Sequence, residues 1–157
     1  MTPLDLMQSL KEYCKEKTKD MLLVARVQES ETEPKERPPK VFIGNLPTKE
    51  AEKKEAPYIL LKLLTTKTDD EENIARVRII VVTYSEDKEE NYIQCLNVIT
   101  RLTTNLLQDV VIDDRYSCQK PIETIVYDDD LEVYQIAEAM TIWELPQVER
   151  DVRKYLG

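Results

Sequence analysis

Three cysteines and three knots of carboxylates are the residues in this chain with the most chemical reach. Cys14, Cys95 and Cys118 are odd in number and too far apart for a CxxC pair. A catalytic thiol needs a base to take its proton, and the chain has no histidine. The cysteines therefore read as reduced thiols in a reducing compartment. The carboxylates gather at Asp69–Glu72, Asp113–Asp114 and Asp128–Asp130. Such groups can serve a metal-assisted hydrolase. Here they fall at predicted turns, where charge is normally just solvated. None fits a calcium loop, which needs a central glycine. Gly44 and Gly157 are the only glycines, too few for a phosphate-cradling loop, and no GxSxG motif occurs. The expectation is a protein that is not an enzyme and holds no cofactor or metal.

The balance of charge narrows the partners. A formal net charge of −9 opposes binding to phosphate backbones and to anionic membrane surfaces. No window approaches the ~20 apolar residues of a membrane span, and the first residues lack the apolar run of a signal peptide. With 157 residues the chain is read as one domain, 1–157. Its 34 % of charged residues points to a globular core carrying a long polar segment.

The elements follow from periodicity. Leu6, Leu10, Tyr13 and Cys14 form one face of an opening helix, with Pro3 in its first turn. "DMLLVARV", Asp20 to Val27, reads as a strand. Residues 28–56 are dense in Glu, Lys and Pro and read as a mobile charged excursion, since such composition buries too little apolar area to offset ordering. One apolar island interrupts it, "VFIGNLP". It either tucks back as a short edge strand or docks on something else.

"PYILLKLLTTK" is apolar on both faces, Ile59, Leu61 and Leu63 on one and Tyr58, Leu60 and Leu64 on the other. "NIARVRIIVVTY" returns as its hairpin partner. Arg76 and Arg78 lie there on one face with Ile80, Val82 and Tyr84. "SEDKEENYIQCLNVITRLTTNLLQD" is a helix with Ser85 at its N-cap and a core stripe of Tyr92, Leu96, Ile99, Leu102 and Leu106. "RYSCQKPIETIVY" carries one or two short strands. "VYQIAEAMTIWEL" is a long one, with Tyr134, Ile136, Met140 and Ile142 opposite Val133, Ala137, Ala139 and Trp143.

The order is α-β-(long loop)-β-β-α-β-β. Helices and strands do not alternate strictly, which favours α+β: a mostly antiparallel or mixed sheet with two helices packed on one face. Strands apolar on both faces then need a second cover, and in a chain this short another subunit can supply it.

Three stretches occur here in an order that resembles one family. "PYILLKLLT", "TYSEDKEENYIQCLNVITRLTTNLL" and "EAMTIWELPQVER" are similar to segments of tail-completion proteins of long-tailed bacteriophages and prophages of Gram-positive hosts. "VFIGNLP" resembles the same group, so the likeness spans roughly Lys40 to Arg150. The family fold is similar to that of the phage lambda tail terminator. The resemblance implies a structural role in virion assembly: a ring, usually of six subunits, that caps the tail tube and joins it to the head. The implied partners are further copies of the chain, the tail-tube protein and the connector's stopper protein, with DNA only passing through the ring. The implied location is the host cytoplasm during assembly, then the virion tail.

Within that expectation Val41, Phe42, Ile43 and Asn45 contact a neighbouring subunit or the tube, as do Glu149 and Arg150 at the charged exit. Arg76 and Arg78 line the bore or make ion pairs, either across strands or between subunits. Trp143 is a core anchor, its strand face otherwise small. A different class is a small acidic phage-encoded inhibitor that mimics nucleic-acid charge, although the interleaved lysines weaken that reading.

Overall fold

The computed structural model describes residues 2–25, 35–46, 55–128 and 131–148. Helix α1 spans Pro3–Thr18 and is followed by strands β1 (Leu23–Ala25), β2 (Lys35–Arg37), β3 (Lys40–Ile43), β4 (Tyr58–Thr68) and β5 (Asn73–Tyr84). Helix α2 (Lys88–Asp109) comes next, then β6 (Val111–Ile112), β7 (Tyr116–Val126) and β8 (Tyr134–Glu144). The architecture is α+β. Six strands form one mixed sheet in the order β3-β4-β5-β8-β7-β6, and β1 and β2 form a separate antiparallel pair. Among the described residues β3 alone lies parallel to its neighbour, β4, and the other pairings are antiparallel.

Local chemistry starts both helices. The Thr2 hydroxyl accepts from the Asp5 N–H, and the Asp5 carboxylate accepts from the Thr2 N–H, a reciprocal capping box. At α2 the cap is Asp87, whose side chain accepts from the N–H groups of Glu89 and Glu90. Ser85, expected in that role, sits two residues earlier and accepts from the Asp87 N–H at 3.1 Å. Replacing Asp87 with Ala should lower stability by about 1 kcal/mol, read as a shift in denaturant midpoint at unchanged slope. No measurable shift would remove Asp87 as the cap.

Both helices pack on one face of the sheet. Leu6, Met7, Leu10 and Cys14 of α1 and Cys95, Val98, Ile99, Leu102 and Leu106 of α2 form one cluster with Ile59, Val77, Ile79, Val81, Ala137, Ala139 and Trp143. The expected α2 stripe is thus rotated. Tyr92 and Leu96 are 46 % and 37 % exposed, while Asn91 and Val98 are buried. Asn91 is the cause. Its amide donates to the Val133 carbonyl at 2.8 Å, and its side-chain oxygen accepts from the Thr83 hydroxyl at 2.7 Å. A polar residue held by hydrogen bonds occupies the inward face that an apolar count assigns to its neighbours.

The charged excursion is shorter than residues 28–56. β2 and β3 fall inside it, and the apolar island pairs along β4, Lys40 to Tyr58 through Ile43 to Leu61. Residues 28–34 and 47–54 lie outside the described set. The element order therefore gains β2 and β3 before the hairpin and β6 after α2.

Candidate interface

The face of the sheet turned away from the helices is one candidate surface. Tyr58, Leu60 and Val82 are buried there, packed against half-buried Phe42, Leu46, Ile80, Tyr84, Tyr134 and Ile136. No residue of either helix belongs to that cluster. The aromatic rings touch in pairs: Phe42 lies edge-on to Tyr58 at 6.2 Å, and Tyr84 meets Tyr134 at 5.8 Å. On β4 the two-faced apolar pattern ends early. Leu63 and Leu64 are exposed, and a bulge follows Leu63.

One buried ion pair crosses this face. Arg78 on β5 holds Glu138 on β8 through two N–H donors, Nε to Oε1 and Nη2 to Oε2, the second at 2.9 Å. The Tyr127 hydroxyl adds a third donor to Glu138 Oε2 at 2.8 Å. The Glu138 side chain is only 5 % exposed, that of Arg78 33 %. The Arg78 hydrogen bonds, reinforced by that of Tyr127, hold the Glu138 carboxyl below its ordinary value against the opposing effect of burial. The same carboxylate raises the Tyr127 hydroxyl. Arg78 is therefore engaged across strands inside its own chain. Arg76, two residues away, is exposed and has no ion pair among the described residues.

The helix side has a different character. A groove between α1 and the end of α2 is lined by Ser9, Glu12, Tyr13, Asp109 and Asp113. Its carboxylates are already occupied. Tyr13 donates to Asp109 at 2.6 Å, Ser9 to Asp113 at 2.8 Å, and Arg115 pairs with Asp113 at 2.6 Å. The Tyr13 hydrogen bond lowers Asp109, and the Arg115 hydrogen bond lowers Asp113. These contacts latch α1 to the α2–β6 corner.

Among the described residues no group of three or more His, Cys, Asp or Glu could hold a metal ion. All three thiols are buried, and burial pushes Cys14 and Cys95 up to about 12 and Cys118 to about 11. No helix among the described residues is long and apolar enough to cross a membrane.

The residues singled out from sequence scatter over this frame. Val41 is buried in the chain's own core, Phe42 and Ile43 are half-buried, and Asn45 is exposed. Glu149 and Arg150 lie outside the described residues. Trp143 is fully buried on the helix side, its N–H donating to the Thr141 hydroxyl at 2.8 Å. Two features escaped sequence reading. One is the Glu138–Tyr127 part of the ion-pair network. The other is the exposed flank of α2, where Tyr92, Leu96 and Leu107 recur at helical spacing. No family model matches the chain, and no curated protein matches it.

Proposed function

We propose that this chain is a structural protein of a long-tailed bacteriophage or prophage, closing the finished tail tube as an oligomeric ring and joining it to the head connector. The observation that carries the reading is the sheet face turned away from α1 and α2, where Phe42, Ile80, Tyr84 and Ile136 stay half-buried and no helix among the described residues packs on them. A surface of that kind suits a protein that works by being covered. The ordered resemblance at "PYILLKLLT", the α2 segment and "EAMTIWELPQVER" supplies the kind of partner. The ring has six copies, the tube protein lies on one side and the stopper on the other, and DNA only passes through. The chain performs no catalysis and binds no cofactor. It acts first in the host cytoplasm and then in the virion tail.

Mimicry of nucleic-acid charge has less support. Asp20, Asp109 and Asp113 are matched by Arg101, Lys17 and Arg115 within the chain, which leaves fewer bare carboxylates to imitate phosphates.

The test is a phage or prophage strain from which this gene has been deleted. Without it, tails should fail to join heads and tube lengths should lose their sharp limit. A plasmid copy should restore joined particles. Normal joined particles in the deletion strain would end the reading.

A further inference from the structure

The two edges of the six-stranded sheet are stepped, and in opposite senses. At one edge β3 covers only Tyr58–Leu61 of β4. The Gly44 N–H donates to the Leu61 carbonyl at 2.8 Å, and beyond it Lys62–Thr68 has no outer strand among the described residues. At the other edge β6 covers only Tyr116 and Ser117 of β7. The Cys118 N–H donates to the Val110 carbonyl at 2.7 Å, and Gln119–Val126 is then bare on its outer side among the described residues.

The registers place these steps at matching heights. Val41 is level with Ile59, Val81, Ala137 and Val126, and Phe42 with Leu60, Ile80, Glu138 and Ile125. Ile43 is level with Leu61, Ile79, Ala139 and Thr124. At the far end Val111 is level with Ser117, Glu144, Ile74 and Lys67. The projecting strand of each edge thus stands at the height of the bare strand of the other. Directions agree as well. β3, β4 and β6 run one way and β7 the other, so two copies side by side in the same orientation set β3 antiparallel to β7 and β6 parallel to β4.

We propose that copies of this chain associate head to tail by continuing the sheet, β3 of one copy pairing with Thr124–Val126 of the next while β6 of that copy fills the step beside β4. Unpaired strand edges supply the backbone donors and acceptors. Phe42 meets Ile125, which is 48 % exposed, an aromatic to β-branched cross-strand pair. Val111, exposed on the β6 side, comes level with Lys67 on the bare stretch of β4 that also carries exposed Leu63 and Leu64. Such a junction joins two different surfaces, so each copy added presents a fresh edge until rotation closes a ring. The inference rests on the self-association in the tail-ring reading and adds which surfaces meet.

Two variants test it, each altering exposed side chains so that the fold survives. Ile125→Lys with Val111→Lys blocks one edge; Leu63→Lys with Leu64→Lys blocks the other. Circular dichroism and thermal unfolding check folding, and sedimentation velocity reads assembly. The wild-type chain should assemble as concentration rises. Each variant alone should be arrested as a dimer-free monomer. Mixed in equal amounts, the two should form a heterodimer and nothing larger, because each retains the edge the other lost. Variants that assemble like the wild type overturn the edge pairing and leave the tail-ring reading standing. A mixture that stays monomeric, or a wild-type chain monomeric at every concentration, also overturns it. Assembly as proposed, with normal head joining in the gene-deleted strain, keeps the edge pairing and removes the tail role.

Discussion

Replacing Trp143 with Ala is expected to lower the unfolding free energy by about 3–5 kcal/mol, the range for deleting a fully buried large aromatic. The indole is 0 % exposed and stands level with Ala75 on β5 and Cys118 on β7, small neighbours that leave room for one large ring and cannot grow into the space it vacates. Its loss also frees the Thr141 hydroxyl, which accepts from Trp143 while donating to the Val77 carbonyl at 2.8 Å. Denaturant unfolding followed by circular dichroism gives the number directly. A loss below about 1 kcal/mol would mean that the core collapses around the gap. A stable variant that no longer assembles would make the ring an interface anchor instead.

The second large effect is expected at Arg78. Changing it to Met leaves the Glu138 carboxylate, 5 % exposed, with the Tyr127 hydroxyl as its remaining side-chain donor. Breaking a buried pair from one side costs about 3–5 kcal/mol, and the partial exposure of Arg78 places this case near the lower bound. The pH dependence has a definite sign. The folded state holds Glu138 below its ordinary 4.5, so the unfolded chain binds this proton more readily. The contribution is complete above the unfolded value and is lost as pH falls through the folded one. Stability of the wild-type chain should therefore fall on acidification below about pH 4.5, and the Arg78→Met variant should lose less over the same interval. Parallel acid profiles for the two proteins would show that the pair does not govern this window. The double change Arg78→Met with Glu138→Leu should recover most of the loss, since no buried charge then remains.

These two sites differ in how far the sequence disclosed them. Trp143 stands out in an alternating strand whose other inward residues are small, and alternation by two is a strong local signal. The β4–β5 hairpin was legible for the same reason, as was the helix between Tyr84 and Val111. Glu138 carried no such signal, because its partner Arg78 is 60 residues away and only the sheet order brings them together. α2 misled through a single residue. Asn91 faces inward on hydrogen bonds to Thr83 and Val133, contacts that depend on tertiary structure, so an apolar stripe drawn through Tyr92 and Leu96 was one step off. The island "VFIGNLP" was open to a short edge strand or to docking elsewhere, and its parallel pairing with β4 could not be read locally. Parallel neighbours need a long connection, and here that connection runs through charged sequence with little periodicity of its own.

The central position of β5 has a consequence for how the chain is made. Its two sides pair with β4, just before it in sequence, and with β8, about 60 residues later. A ribosome adding ~5–20 residues per second needs roughly 3–12 s to cover that interval. During that time β5 has one finished hairpin side and one side still without its strand, while α2 and β7 are being synthesised. The sheet cannot be completed by local zipping. It closes only when β8 is delivered, which places this fold among those whose formation is set by distant contacts.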